Sequence, residues 1–217
     1  WFGMNMFAED PAATPIPLGL GEEGHPATLE GKDIADAAKP SSVRTGLLYA
    51  NFGTASNPMI REPLRAWLEE PAQQWVTRHD HGGSSGKAAY LEALCSHHFV
   101  FCPPGNGEDT HRMWEALYAG AVPVVRDSPA MRNFRDLPIL TVPRLDGIRE
   151  DFLRDKQSDL QTTNASAAKL DALYWSGEFA TAQSAAKEKG PVRAAEWVGA
   201  WCQEIARVVR RTIQQGA

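Results

Sequence analysis

Residues Phe99–Val125 read FVFCPPGNGEDTHRMWEALYAGAVPVV, and this stretch decides the fold of the chain. An apolar run ends at Pro103-Pro104, and a loop that contains glycine follows it. A helical pattern from about Thr110 to Ala119 then stops at Gly120, before a second apolar run. This order of strand, loop, helix and strand predicts a βαβ unit with two parallel strands.

The same alternation extends to both sides of that unit. Proline-initiated and amphipathic helical patterns separate short apolar runs from about residue 45 to 143. The predicted strands are 46–52, 75–77, 98–102, 121–125 and 138–142, and the predicted helices begin at Pro58 or span 88–95 and 110–119. We therefore predict a Rossmann-like α/β fold, in which helices flank a parallel sheet and a C-terminal helical brace follows.

The composition and the positions of Pro and Gly suggest the domain organisation. Residues 1–43 are rich in Pro and Gly, which predicts a linker with a short extended piece at Ile16–Leu20. Residues 44–190 form the predicted Rossmann-like domain and 191–217 a C-terminal helix; helical patterns after the sheet fall at 148–154, 165–179 and 194–213. Because the chain opens at Trp1 without an initiator Met, we expect a processed or truncated protein that has lost a preceding part.

Charge and composition exclude several classes of protein. The 217 residues carry 22 Lys and Arg against 27 Asp and Glu, a formal net charge of −5, which argues against sequence-independent nucleic-acid binding. No apolar run approaches the roughly 20 residues that cross a bilayer, so we expect no membrane span. The three cysteines do not form a zinc-type cluster.

The loop and helix start within the 99–125 stretch have the composition of a phosphate site. A helix that begins at the carboxyl end of a parallel strand presents free N–H groups and a positive dipole end. Gly105 and Gly107 would let the backbone approach a ligand closely, and Arg112 could contribute a bidentate charge. Asp109 or Thr110 is the expected N-cap. An ordinary turn is the alternative, and the spacing matches neither the dinucleotide fingerprint nor the P-loop.

The stretch also resembles the donor-site signature of GT-B glycosyltransferases, most closely the exostosin-like (family 47) group and its xylosyltransferase relatives. The residues that carry the resemblance are Cys102-Pro103, Gly105-Asn106-Gly107, Asp109 to Arg112, Trp114 to Leu117, Gly120 and Pro123 to Val125. Weaker likenesses occur around Pro15–Gly19, which would be the crossover from an acceptor-side half, at Leu48–Arg61 and at Leu173–Trp175.

The resemblance implies a metal-independent, inverting glycosyltransferase with no required cofactor. Its donor would be a nucleotide-sugar, a UDP-sugar such as UDP-xylose, and its acceptor a glycan or glycoprotein. Glu115 would hold the ribose, and Arg112 would hold the diphosphate. The loop residues Gly105, Asn106, Gly107, Asp109 and Thr110 would assist, together with Asn51 and Arg61. Asp109 and His111 are candidates for the catalytic base, unless that base comes from the acceptor-side half.

Three alternatives stay open at this stage. The chain could be a non-catalytic nucleotide-sugar-binding module, or a Rossmann-like interaction domain without a ligand. His79-Asp80-His81 could ligate a metal, although a solvated loop is the favoured interpretation and we expect no metal site.

A eukaryotic member of the family would reside in the Golgi lumen, and a bacterial or viral one in the cytoplasm.

Overall fold

The structure is a computed structural model that describes residues 2–6, 14–21, 29–79, 86–160 and 168–188. It divides the chain into two compact units, residues 1–165 and 166–217. The predicted boundaries at 43 and 190 stay predictions. The predicted helix at 194–213 lies outside the described residues.

The first unit contains a five-stranded sheet in which every pairing is parallel. Its strands are β3 (Gly46–Ala50), β4 (Val76–Arg78), β5 (His97–Phe101), β6 (Val122–Arg126) and β7 (Leu140–Val142), in the order β4-β3-β5-β6-β7. Counted from β3 along the chain, this is the 2-1-3-4-5 order of one class of doubly wound sheets. The predicted Rossmann-like α/β fold is confirmed.

The described residues of this unit include five α-helices: α1 (Gly31–Ala37), α2 (Pro58–Glu69), α3 (Gly86–Ser96), α4 (His111–Tyr118) and α5 (Glu150–Leu160). α2, α3 and α4 connect successive strands of the sheet, and α1 packs against α3 and α4. In the second unit the structure describes α6 (Ala172–Glu188). None of the helices in the described ranges combines the length and apolar composition that a membrane crossing requires.

The core of the sheet follows from the alternation of side chains along its central strands. Phe99 and Phe101 of β5 join α2 and the α5 region in one apolar cluster, in which Trp67 stacks on Phe101 with ring centroids 5.9 Å apart. Tyr49 and Val100 are fully buried at the alternate positions. Central strands buried over their whole length are expected where helices cover both faces of a sheet.

The N-terminal part contains more regular structure than its composition predicts. β1 (Phe2–Gly3) and β2 (Thr14–Pro15) form a short parallel ladder, and Ile16 N donates to Gly3 O over 3.0 Å. α1 was not predicted, because the density of Pro and Gly argued against a long helix and this helix has only seven residues. Its single fully buried side chain is Ile34.

The predicted strands agree with the structure within two residues at each end, whereas the later helices differ more. α5 begins at Glu150 and continues to Leu160, past the predicted end at residue 154. α6 begins at Ala172 instead of residue 165 and continues to Glu188 instead of 179. Helical periodicity alone defines helix ends poorly, because capping and packing select the terminal residues.

Candidate functional site

The carboxyl ends of β3 and β5 lie side by side, with Ala50 paired to Phe101. From β3 the chain crosses to β4 on one side, and from β5 it crosses to β6 on the other side. In open α/β sheets, ligands bind in the crevice at such a reversal of strand order. The loop after β3 (51–57) and the loop after β5 (102–110) therefore form the walls of the candidate site.

Arg61 of α2 holds these two loops together. Its Nε and Nη2 donate to the carbonyls of Pro104 (2.8 Å) and Pro103 (3.1 Å) in the second loop. Its Nη1 donates to the carbonyl of Gly53 (2.8 Å) and the hydroxyl of Ser56 (2.7 Å) in the first. Four of the five guanidinium N–H groups are thus engaged with protein oxygens. The observed role of Arg61 is to clamp the loops, and its contact with phosphate stays a prediction.

Both glycines of the second loop have a neighbour from the chain itself at close range. A Cβ at Gly105 would lie 3.0 Å from Arg61 Nη2, and a Cβ at Gly107 would overlap the Asn5 side chain. Asn57 Nδ2 also donates to Gly105 O over 2.9 Å. Because these two glycines have no side chain, Arg61 and Asn5 can lie close to the loop backbone, at the positions where a ligand was expected from the sequence. Asn106, between them, is exposed.

Asp109 is buried, and both of its carboxylate oxygens accept hydrogen bonds. Oδ2 accepts from the backbone N–H of Leu18 over 2.7 Å, and Oδ1 accepts from Trp114 Nε1 over 2.6 Å. Asn5 contacts the backbone of Asp109 twice, because its Nδ2 donates to Asp109 O and its Oδ1 accepts from Asp109 N. Burial raises the pKa of Asp109 to about 6, although the two donors act in the opposite direction. Asp109 thus connects α4 and the N-terminal segment (residues 2–6 and 14–21) to the loop.

His111, the first residue of α4, is exposed and contacts the N-terminal segment. Its Nδ1 lies 2.8 Å from Gly19 O. A carbonyl oxygen can only accept, so this hydrogen bond requires a proton on Nδ1 and leaves Nε2 unprotonated in the neutral ring. Nε2 is therefore the ring nitrogen that could take a proton from a substrate.

Two polar atoms at the start of α4 are buried without partners. Thr110 is the N-cap, yet its hydroxyl makes no capping hydrogen bond, and its Oγ1 is buried and unpaired. Arg112 Nε is likewise buried without a partner, and within the described part of the chain this arginine forms no ion pair. Such groups lose hydration on burial and normally acquire a partner. Among the described residues, Arg44 Nε and Ser128 Oγ are buried without a partner in the same way.

The groups around Arg112 contribute charges of both signs. Burial, and secondly the positive charge of Arg112, lower the pKa of Arg61 to about 10. The two guanidinium groups are therefore close enough to repel each other. Burial alone would lower the pKa of Arg112, but the neighbouring Tyr90, Cys102 and Glu115 raise it. Two arginines and a helix N-terminus thus lie close together here, with the carboxyl group of Glu115 near them.

Glu115 is buried one turn further along α4 and accepts a hydrogen bond from the hydroxyl of Tyr90 over 2.5 Å. Tyr90 in turn packs near Tyr49, with ring centroids 6.1 Å apart. The hydroxyl of Tyr49 accepts from Asn51 Nδ2 over 3.0 Å. A row of two tyrosines thus connects Asn51 and Glu115, which were both predicted to bind the donor.

Several residues at the candidate site could not be recognised from the sequence. Neither Tyr90 nor Asn5 was assigned a role from the sequence. The spacing of Tyr49 and Asn51 gave a usable signal, because residues two apart on a strand share a face. A further missed contact is the ion pair between Arg126, at the end of β6, and the buried Glu108 of the loop. Nothing local in the sequence identifies partners that lie so far apart along the chain.

A cavity of about 300 Å³ lies beside α2 at the ends of β3 and β4. It is lined by Ala50, Phe52, Arg65, Leu68, Glu69, Arg78 and His79. The arginines that line the cavity have protein partners. Arg78 Nη1 donates to Leu68 O over 2.6 Å, and Arg65 Nε lies 3.5 Å from Glu69 Oε1. We therefore place the candidate site at the unpaired atoms of α4 instead of in this cavity.

The described residues contain no group of three His, Cys, Asp or Glu side chains that could hold a metal ion. Of the histidine pair considered above, His79 contributes Nδ1 to a 3.4 Å contact with the Tyr49 hydroxyl. Asp80 and His81 lie outside the described residues, so the interpretation of that loop stays a prediction.

Residues 64–135 match the family model described as the RXYLT1 C-terminal domain. The match covers 72 of the 217 residues and includes Tyr90 and the whole loop-and-helix segment from Cys102 to Glu115. It supports a relationship with a xylosyltransferase-like glycosyltransferase family. Asn51, Arg61 and the N-terminal segment lie outside the matched range. A comparison with curated proteins gives no match.

Proposed function

We propose that this chain forms the donor-binding part of a glycosyltransferase that uses a nucleotide-sugar. The observation that carries the proposal is the pair of buried, unpaired atoms, Thr110 Oγ1 and Arg112 Nε, at the N-terminus of a helix in the switch crevice. The similarity to the RXYLT1 C-terminal domain covers this same segment. A UDP-sugar such as UDP-xylose is the proposed donor, in a GT-B-type arrangement that needs no metal.

Each group at the site has a task in this proposal. Arg112, Thr110 and the N-terminal N–H groups of α4 bind the diphosphate and stabilise the charge that develops as the nucleotide departs. Glu115 accepts hydrogen bonds from the ribose. Arg61 keeps the two loops at a fixed separation, since it donates to carbonyls of both. Stabilisation of the leaving group by fixed charges requires such a rigid frame.

Transfer with inversion also requires a base that takes a proton from the acceptor hydroxyl. Of the two candidates, His111 is better placed, because its Nδ1 is committed to Gly19 O and its Nε2 stays available. Both oxygens of Asp109 already accept hydrogen bonds from protein N–H groups. We therefore propose His111 as the base, and Asp109 as the anchor of the loop that precedes it.

A thermal-shift screen of the chain tests the proposal. The panel is UDP, GDP, UDP-xylose and UDP-glucose, each with and without Mn²⁺. Because a ligand that binds the native state raises its stability by mass action, ligand at about 100 times its Kd should add roughly 2.7 kcal/mol. We expect a rise in Tm with the uridine nucleotides that does not depend on Mn²⁺. An unchanged Tm throughout the panel at millimolar ligand would contradict the proposal.

A further inference from the structure

Tyr90 and Glu115 form a close pair between α3 and α4, near the charge of the buried Arg112. The phenol donates to Glu115 Oε2 over 2.5 Å, and the second oxygen, Oε1, accepts no hydrogen bond from the described residues. Glu115 is 7% exposed, so its carboxylate has little water to solvate it. A buried carboxylate with one engaged and one unengaged oxygen retains the capacity to accept from a ligand hydroxyl.

Tyr90 is well suited to hold this carboxylate in place. Burial is the main reason that its pKa lies well above the usual value for a phenol; the charge of Arg112 acts in the opposite direction, and the neighbouring Glu115 adds to the increase. The hydroxyl therefore keeps its proton and stays a donor over the range in which proteins are folded. The ring of Tyr90 also lies near the ring of Tyr49, with the centroids 6.1 Å apart, and Tyr49 is fully buried in β3.

We propose that Tyr90 is the positioning residue for ribose recognition: it holds Oε2 of Glu115 so that Oε1 accepts from the 2′-hydroxyl of the ribose of the bound nucleotide. This inference rests on the proposed function, because it assumes that a nucleoside diphosphate occupies the crevice. The role of Tyr90 is to restrict the rotation of the Glu115 side chain. An acceptor held in one orientation loses less entropy on binding than one that must first be ordered.

Calorimetric titration of the full chain with UDP, 2′-deoxy-UDP and inorganic pyrophosphate tests the role of Tyr90. The variant is Tyr90→Phe, which removes one hydroxyl and keeps the ring. The control is Tyr174→Phe, a phenol in the other unit whose ring packs edge-on against Trp175. We expect Tyr90→Phe to weaken UDP about tenfold, because the released Glu115 side chain must then be ordered when the ribose binds. The affinities for 2′-deoxy-UDP and pyrophosphate should stay within about twofold of the wild type.

Each other outcome overturns a different part of the account. If Tyr90→Phe keeps the wild-type preference for UDP over 2′-deoxy-UDP, the inference is wrong. If it weakens all three ligands equally, Tyr90 supports the fold and does not select the ribose. A wild type that binds UDP and 2′-deoxy-UDP equally removes the ribose role of Glu115 but leaves the diphosphate site. A wild type that binds none of the three overturns the proposed function together with this inference.

Glu115→Gln provides a second, independent variant. It should remove the same preference for the ribose hydroxyl, because a neutral amide replaces the charged acceptor. If the two residues act together, the double variant Tyr90→Phe/Glu115→Gln should be no weaker for UDP than Glu115→Gln alone. Additive losses would show that Tyr90 does not act through Glu115.

Discussion

The indole Nε1 of Trp114, in α4, donates a hydrogen bond over 2.6 Å to Oδ1 of Asp109, in the loop that precedes this helix. Trp114 is itself buried and packs edge-on against Phe134, with ring centroids 5.2 Å apart. The opposite carboxylate oxygen accepts from Leu18 N. Asp109 thus joins the core, the loop and the N-terminal segment, and the position of Thr110 and Arg112 depends on it.

Asp109 should give the protein a specific dependence of stability on pH. Its pKa in the folded state is about 6, whereas an aspartate in an unfolded chain titrates near about 4. The folded state therefore holds the proton more tightly, so the contribution is fully present below about pH 4 and is lost as the pH rises through about 6. A difference of about two pKa units corresponds to roughly 3 kcal/mol in the free energy of unfolding.

The test is urea unfolding between pH 4 and 7 of the wild type, Asp109→Asn and the control Asp36→Asn. Asp36 is an exposed residue of α1. We expect Asp109→Asn to flatten the decline in stability over this range, whatever its effect on stability at a single pH. Asp36→Asn should keep the wild-type slope. A wild-type slope in Asp109→Asn would show that this carboxyl titrates normally.

Arg61→Lys should destabilise the fold although the charge is retained. A lysine ammonium cannot reach both loops as the planar guanidinium does, so buried carbonyls at Pro103 and Pro104 lose their donors. We expect a loss of about 2–4 kcal/mol in the free energy of unfolding by chemical denaturation. Arg65→Lys, one turn further along α2 with a half-exposed side chain, should cost less than about 1 kcal/mol. Equal losses in the free energy of unfolding from the two substitutions would contradict the conclusion that Arg61 holds the two loops together.

His111→Asn should separate catalysis from donor binding. If Nε2 is the base, release of the nucleoside diphosphate from UDP-xylose in the presence of acceptor should fall by about 10² or more. The calorimetric affinity for UDP should stay the same, because His111 is not assigned to the diphosphate. A rate equal to the wild type's would place the base elsewhere.

The sheet and its order of elements could largely be predicted from the sequence, because buried parallel strands such as β5 are short apolar runs between recognisable turns. The helix start at residue 110 could be predicted for the same reason. The hydrogen bond between Asp109 and Leu18 could not be predicted, because the two residues lie 91 positions apart in the sequence. The role of Arg61 was equally hidden, since a cation next to a glycine loop is equally consistent with phosphate binding and with carbonyl clamping.

The most direct test of the donor site is calorimetric titration of UDP into the wild type, Arg112→Ala and the control Arg132→Ala. Arg132 is exposed and lies in the turn after β6. We predict that Arg112→Ala weakens UDP at least about tenfold, as expected for a lost charged hydrogen bond, while its Tm stays within about 2 °C. Arg132→Ala should bind as the wild type does. If Arg112→Ala instead retains full affinity and loses thermal stability, Arg112 is a structural residue and the donor site is not at α4.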